Sequence, residues 1–282
     1  MLKKWTKATL FAATAALVLA AGTFTSCSDD DEVYEEIPEF DIKDGILQYY
    51  NGTGGDVTIP DDVRIIGSNA FASSAITSVV IPSGVVEIQS QAFWLCTSLK
   101  NVTLPAVKEM ADDAFSGCSS LEKLTYNGTL KDWCSQSGLM YLAGGSIESI
   151  KLSDVTDLKT AKTLEIPIGV TGINDYAFYN CWLLESVTIS ESVKYIGDCA
   201  FSGCSLLESV TIPASVTYIG PRAFKDCQSL ESVEFKSQDN WSTSSDSTPY
   251  FPVNVSKPSD NAANLRDTTY SNWGYTGLYK RN

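Results

Sequence analysis

The stretch of sequence that decides the fold is VTISESVKYIGDCAFSGCSLLESVTIP, which runs from Val187 to Pro213. It contains Val-x-x-Ile-Gly, then Ala-Phe-x-x-Cys, then Leu-x-x-Val-x-Ile-Pro. The alternation in Val-x-Ile is typical of a strand with one buried face. Pro213 ends this strand, because proline has no N–H to donate to a neighbouring strand. The stretch therefore reads as two short extended segments joined by turns.

The same pattern recurs along the chain at intervals of a little over twenty residues. The Phe of Ala-Phe marks each copy, and successive copies are 22, 22, 63, 23 and 23 residues apart. The long interval is three times 21, which indicates degenerate units between two regular groups. The repeat residues are Phe71, Phe93, Phe115, Phe178, Phe201 and Phe224. One coil cannot bury its own apolar face, so the coils must stack, with these rings in a single interior row.

The predicted fold is a repeat solenoid, a right-handed coil with a parallel β-sheet on one face and short second strands or irregular turns on the other. The period predicts roughly eight coils and one sheet about 40 Å long. We place the solenoid at residues 44–235, with degenerate or inserted coils at 127–163. Residues 236–282, rich in Tyr and Trp, are expected to cap the last coil.

The repeat unit resembles a known family. Ile-Pro-x-x-Val-x-x-Ile-Gly-x-x-Ala-Phe-x-x-Cys-x-x-Leu-x-x-Val is similar to the BspA-like, or treponemal-type, leucine-rich repeat, and the resemblance covers about residues 40–282. It implies a leucine-rich-repeat solenoid that acts in surface adhesion, through host extracellular proteins or other cells. Fold alone does not fix function, so no ligand is carried over.

The N-terminus is typical of a secreted protein. Three lysines within the first seven residues precede an apolar run at 8–21, which is too short for a bilayer that needs about 20 residues. Thr25-Ser26-Cys27 resembles the lipidation site of bacterial lipoproteins, although Phe24 stands at the usual Leu position. We therefore predict a signal peptide at 1–26 and a lipid anchor on Cys27.

An acidic stretch follows the predicted anchor. Ser28, Asp29, Asp30, Asp31 and Glu32 resemble the export tag that sends Bacteroidetes lipoproteins to the outer face of the outer membrane. The same run is also typical of a solvated linker, and it can act as a linker and as an export tag at once. We predict an acidic disordered tether at 27–43 and a protein that is lipid-anchored in the outer membrane and exposed at the cell surface.

Composition excludes several classes of function. The chain has 34 acidic and 20 basic residues, a net charge of −14 and no His. This balance argues against nucleic acid and against docking on anionic lipid except through the anchor. Without His, the Ser-His-Asp and Cys-His arrangements are absent. The acids that follow a repeat Leu recur in several coils, as a solvated stripe would: Glu122, Glu185, Glu208 and Glu231. We expect a monomer that is not an enzyme and has no cofactor.

Seven cysteines follow Cys27, and five lie three residues after a repeat Phe. These five are expected to form a column of buried thiols: Cys96, Cys118, Cys181, Cys204 and Cys227. No Cys-x-x-Cys is present, so no metal site is predicted. An oxidising environment permits disulfides, so a pair such as Cys199 with Cys204 stays open.

The outward face of the strands is the predicted partner-binding surface. Its candidate residues are Asn101, Thr103, Lys123, Thr125, Ser186, Thr188, Ser209, Thr211, Ser232 and Glu234. The alternative interpretation is that Ser and Thr simply suit exposed strands.

Four aromatic residues that depart from the repeat are candidate contacts: Trp133, Tyr141, Tyr195 and Tyr218. Packing is an equally good interpretation of each.

The sequence therefore leaves two candidate functions. One is a scaffold that binds a host or bacterial surface protein, and the other is a glycan-binding accessory lipoprotein. The second predicts a platform of exposed aromatic rings.

Overall fold

The computed structural model describes residues 37–143, 147–237, 241–242, 250–251, 265 and 278–280. The chain divides into two units, Met1–Glu36 and Ile37–Asn282. The predicted signal peptide, the predicted lipidation site Cys27 and the predicted export tag fall within the first unit, outside the described residues. Within the described part, no helix is long and apolar enough to cross a membrane.

Residues 37–237 of the second unit, apart from 144–146, form short strands with two short helices near the middle. The first group of strands is β1 (Phe40–Lys43), β2 (Ile46–Tyr50), β3 (Gly55–Thr58), β4 (Ile65–Ile66), β5 (Ile76–Val80), β6 (Glu87–Ile88), β7 (Asn101–Leu104), β8 (Glu109–Met110), β9 (Lys123–Tyr126) and β10 (Ser149–Lys151). The helices α1 (Leu130–Cys134) and α2 (Met140–Ala143) lie between β9 and β10. The second group of strands is β11 (Thr163–Glu165), β12 (Gly172–Ile173), β13 (Ser186–Thr188), β14 (Tyr195–Ile196), β15 (Ser209–Ile212), β16 (Tyr218–Ile219), β17 (Ser232–Phe235), β18 (Trp241–Ser242), β19 (Tyr250–Phe251) and β20 (Leu278–Lys280).

The strands form the predicted solenoid. One face carries two parallel sheets, in the orders β10-β9-β7-β5-β3 and β11-β13-β15-β17. The other carries sheets of mostly two-residue strands, in the orders β1-β2-β4-β6-β8 and β12-β14-β16-β20-β18-β19. The prediction of a leucine-rich-repeat solenoid with parallel strands on one face and short second strands on the other is confirmed. The array also starts earlier than expected, because β1, inside the predicted tether, pairs antiparallel with β2.

Backbone hydrogen bonds between coils explain why the repeat is stable only as a stack. The N–H of Phe93 donates to the carbonyl of Ala114 (2.8 Å), and that of Phe201 donates to the carbonyl of Ala223 (2.8 Å). The small Ala lets the coils approach, while each Phe ring fills the interior and is almost completely buried. A buried backbone group without a partner is costly, so every coil depends on its neighbour.

The interior rings form two stacks of three, one on each side of the inserted segment. Ring centroids are 4.8 Å apart for Phe71 and Phe93 and 4.6 Å apart for Phe93 and Phe115. In the second stack, Phe201 lies 5.1 and 5.4 Å from its two Phe neighbours. Tyr50 extends the first stack at 4.9 Å from Phe71. The stacks are separate because the segment between them lacks the repeat.

The prediction of one continuous sheet about 40 Å long was wrong, because the parallel strands form two separate sheets. The free edge of β10 is covered by its own following loop instead of by β11. There Asp157 accepts the N–H of Ile150 (3.0 Å), and Leu158 donates to the carbonyl of Ile150 (2.8 Å). A carboxylate and a turn thus take the place of a neighbouring strand, which is a common way to protect a sheet edge.

The predicted irregular region begins with α1. Thr129 caps this helix, because its hydroxyl accepts the N–H of Asp132 (3.2 Å) while the Asp132 carboxylate accepts the N–H of Thr129 (2.8 Å). The hydrogen bonds from Thr129 also lower the pKa of Asp132. This reciprocal capping starts a helix where the repeat would have continued as turns.

At the other end of the array, β20 returns to the edge of the short-strand sheet. It pairs antiparallel with β16, with Tyr218 opposite Tyr279 and Ile219 opposite Leu278. The pairing gives the last short strand of the repeat a neighbour. The rest of the predicted cap lies mostly outside the described residues, so its extent stays a prediction.

Candidate binding surfaces

The predicted partner-binding residues lie in register across the sheets. In the first sheet, Asn101 is opposite Lys123 and Thr103 is opposite Thr125. In the second sheet, one serine from each of three adjacent strands aligns in a single column: Ser186, Ser209 and Ser232. Thr188 is exposed, while Thr211 is half-buried beside exposed Glu234. The columns are therefore polar and face outward, in two patches instead of one.

Charged side chains flank these columns without forming a buried site. Lys100 pairs with Glu122 at 3.0 Å, and Lys162 pairs with Glu185 at 2.8 Å. All four side chains are about half exposed, so these ion pairs are worth little. Glu208 and Glu231 are exposed as well. In the described part of the chain, no group of three or more His, Cys, Asp or Glu residues is placed to hold a metal ion.

The structure corrects one of the four candidate aromatic contacts. Trp133 is completely buried, so it cannot be a surface contact. The side chain of Tyr141 lies outside the described residues. Tyr195 and Tyr218 occupy equivalent, paired positions on β14 and β16, and Tyr195 is 38% exposed. A Cβ on Gly172 would collide with the Tyr195 ring, so Gly172 makes room for this ring to lie against the sheet.

Trp133 replaces part of a missing coil. Its indole Nε1 donates to the carbonyl of Ala177 (2.7 Å), which in a regular coil accepts the backbone N–H of the preceding repeat Phe. The Tyr126 ring packs edge-on against the indole at 5.1 Å. Burial raises the pKa of Tyr126, whose hydroxyl donates to Gln136 (3.1 Å). The Trp133 side chain therefore fills the gap between the two Phe stacks and supplies a hydrogen-bond donor to the Ala177 carbonyl.

Lys159 supplies the hydrogen-bond donor for a second carbonyl at this interruption. In a regular coil the corresponding donor is a backbone N–H, as where the N–H of Asn180 donates to the carbonyl of Ser202 (2.8 Å). Here the ammonium Nζ of Lys159 donates to the carbonyl of Tyr179 (2.7 Å) and lies 5.8 Å from the centre of the Trp182 ring. Lys159 is only 1% exposed, and desolvation lowers its pKa.

The end of α1 supplies a third link. The N–H of Asn174 donates to the carbonyl of Cys134 (2.8 Å), as that of Gly197 donates to Ile173 (2.7 Å) in the next coil. The Asn174 amide also donates to the carbonyl of Ser135 (2.9 Å). The sequence analysis missed the roles of Lys159 and Asn174, because neither departs from a repeat motif in a recognisable way.

The predicted cysteine column is present as free thiols. Each Sγ of Cys96, Cys118, Cys204 and Cys227 contacts the carbonyl of the repeat Phe one coil earlier at 3.1–3.3 Å. Burial raises the pKa of Cys181 to about 11 and that of Cys227 to about 12. All seven described cysteines are free, including Cys199 and Cys204. The column is therefore part of the packing.

The interruption also leaves a cavity of about 300 Å³ beside the short-strand sheet. Asp112 lines it from the first group of coils, and Asp175 and Tyr195 line it from the second. Ser137 and Met140 of the inserted segment complete its wall.

Comparison with known families identifies the repeat. The profile of the BspA type leucine rich repeat region matches in six copies, over residues 48–137 and 140–247. The chain therefore belongs to the BspA-type leucine-rich-repeat family.

Several solved structures resemble the chain. A leucine rich cell surface protein of Faecalibacterium prausnitzii is 27% identical, with 78% of this chain and 57% of that chain covered and a TM-score of 0.42. The T. pallidum leucine rich repeat protein is 24% identical, with 70% and 91% covered and a TM-score of 0.42. A leucine-rich repeat protein of Bacteroides ovatus is 20% identical, with 74% and 72% covered and a TM-score of 0.36. The chain thus spans a little over half of the first of these structures. No curated protein sequence gives a significant match.

Proposed function

We propose that this protein is a cell-surface lipoprotein that binds a host or bacterial surface protein through the outward face of its parallel strands. Cys27 carries the lipid anchor in the outer membrane of a Bacteroidetes cell, and residues 28–32 direct the protein outward. The solenoid is a monomeric scaffold and not an enzyme. The F. prausnitzii protein described as a cell surface protein supports this location.

One observation carries the proposal: small polar side chains repeat in register on adjacent parallel strands. Ser186, Ser209 and Ser232 form one column, and Thr103 and Thr125 belong to another. A rigid array of exposed and half-buried hydroxyls offers hydrogen bonds at strand spacing, about 4.8 Å, over a surface about 20 Å along each sheet. Binding surfaces on leucine-rich repeats are extended faces of this kind.

The glycan-binding alternative has less support. It needs neighbouring aromatic rings that are open to solvent. The exposed aromatic side chains among the described residues are Tyr49, Trp94, Trp182 and Tyr195, and they belong to separate coils.

The proposal is tested by placing charge on the strand face. The protein from Ser28 onward is used to capture partners from host extracts, and the captured proteins are identified by mass spectrometry. Thr188→Lys with Thr211→Lys should then weaken the partner's binding by roughly tenfold or more, because two lysines would be left without partners in the interface.

The matched control is Ser83→Lys with Thr97→Lys, which adds the same charge to exposed turns. This control should bind like the unmodified protein. If the strand-face variant keeps its partner, or if both variants lose it equally, the strand face is not the binding surface.

A further inference from the structure

The gap between β8 and β12 forms a second surface, distinct from the strand face. The 300 Å³ cavity there adjoins another of about 540 Å³, because Ser137 lines both. The acidic lining of the second cavity comes from Glu87 and Glu109. We call the two cavities together the acidic notch, which is lined by Glu87, Glu109, Asp112, Ser137, Asp175 and Tyr195, among others.

Most side-chain hydrogen-bond donors in the described lining of the acidic notch are already used within the protein. The Ser137 hydroxyl donates to the carbonyl of Met110 (3.2 Å), and the Tyr195 hydroxyl donates to Oδ1 of Asn174. Asn174 in turn donates from its side-chain amide to the carbonyl of Ser135 (2.9 Å). A sugar needs a mixture of donors and acceptors, and here the hydroxyl protons are committed to the protein.

The carboxylates of Asp112 and Asp175, by contrast, have oxygens that are available to accept hydrogen bonds from a ligand. Asp112 is exposed and forms no hydrogen bond or ion pair with another described residue. One oxygen of Asp175 accepts the N–H of Asp198 (2.7 Å), which leaves its second oxygen for a ligand. A carboxylate can only accept hydrogen bonds, so the notch favours a ligand that carries many donors and no acceptor.

The charges of the acidic notch have one sign. Among the described residues, the charged ones that line the two cavities are all acids, and the chain as a whole carries −14. Lys108 approaches Glu109 only to 3.9 Å, and both side chains are largely exposed, so it neutralises little. The half-exposed Tyr195 ring and Met140 add aromatic and apolar surface, which suits the stem and cation of a basic side chain.

We propose that the acidic notch binds a basic, extended segment of a partner protein, with arginine or lysine side chains held between Asp112, Asp175 and the Tyr195 ring. The charge complementarity and the committed donors favour this ligand over a neutral glycan. The notch lies apart from the strand face, so this site and the proposed function succeed or fail separately.

The test uses fluorescein-labelled hexa-arginine, with hexa-citrulline as a neutral peptide of the same shape. Fluorescence anisotropy with the purified protein at physiological salt should show binding of hexa-arginine and much weaker binding of hexa-citrulline. Asp112→Asn with Asp175→Asn should weaken hexa-arginine binding roughly tenfold, from the loss of two charge pairs with the peptide. Asparagine at 175 still accepts the N–H of Asp198, so the fold should persist, and urea unfolding checks this.

The control Glu208→Gln with Glu231→Gln removes the same charge from the exposed stripe and should change affinity by less than about twofold. The strand-face pair Thr188→Lys with Thr211→Lys should also stay within about twofold.

Equal weakening by the Asp112/Asp175 and Glu208/Glu231 pairs would mean that net charge alone attracts the peptide. Equal affinity for hexa-citrulline, or loss of hexa-arginine on the strand-face pair, would overturn the site. Binding of maltohexaose that is lost only in the Asp112/Asp175 pair would make the notch a glycan site instead.

Discussion

In the coils around Phe201, backbone N–H groups bond directly to backbone carbonyls of the next coil, whereas between residues 127 and 162 side chains take over this role. The indole N–H of Trp133 replaces the backbone N–H that a repeat Phe would donate in a regular coil. The ammonium of Lys159 replaces the backbone N–H of the residue two positions after that Phe. The comparison shows that a solenoid can lose a regular coil without losing its hydrogen bonds. It also shows that the replacement requires particular side chains where a regular coil requires only backbone.

The largest effect is expected from Trp133→Ala. Removing a fully buried indole leaves a cavity and an unpaired carbonyl at Ala177, so the free energy of unfolding should fall by about 3–5 kcal/mol. Urea unfolding measures the loss. The matched control is Trp94→Ala, a repeat-adjacent tryptophan that is 38% exposed, which should cost about 1 kcal/mol or less.

Trp133→Phe separates the two roles of the indole. The phenyl ring keeps most of the volume but has no N–H, so the loss should be about 1–3 kcal/mol, the cost of an unsatisfied buried carbonyl. A Trp133→Ala variant no less stable than Trp94→Ala would mean that the inserted segment does not connect the two groups of coils.

A pH-dependent effect is expected from Lys159→Met. Burial lowers the pKa of Lys159 from its ordinary 10.5, so between the lowered value and 10.5 the unfolded chain binds more protons than the folded one. The stability of the unmodified protein relative to Lys159→Met should therefore rise as the pH increases toward 10.5, by at most about 1.4 kcal/mol per pH unit.

Exposed Lys162 provides a control of opposite sign. Its hydrogen bond to Glu185 raises its pKa, so the stability relative to Lys162→Met should fall slightly as the pH rises above 10.5. Urea unfolding from pH 7 upward compares both variants. A difference for Lys159→Met that stays flat or falls with pH would contradict the desolvation of the Lys159 amine in the folded protein.

The regular coils could be predicted from the sequence because their structure is periodic. Phe71 and Phe201 occupy equivalent interior sites, and the outward positions such as Thr188 follow from alternation along the strand. Each such residue is predicted several times over, once for every copy of the motif. The family follows from the same repetition.

The interruption could not be predicted in this way, because each of its contacts occurs once. Trp133 looks like a surface aromatic next to a loop, and only the position of the Ala177 carbonyl shows why it is buried. The lysine at 159 would ordinarily be expected at the surface. The acidic notch joins Asp112 and Asp175, which lie far apart in sequence on either side of the insertion. Alternation and spacing carry no information about such pairings.

Residue-resolved hydrogen exchange tests most directly whether the inserted segment acts as a coil. The amide of Asn174, bonded to Cys134 across the interruption, is compared with that of Gly197, bonded to Ile173 within the regular coils. We predict that both exchange slowly and to a similar degree, because both bonds open only when the core opens. An Asn174 amide that exchanges as fast as an exposed turn, while that of Gly197 stays protected, would contradict the account.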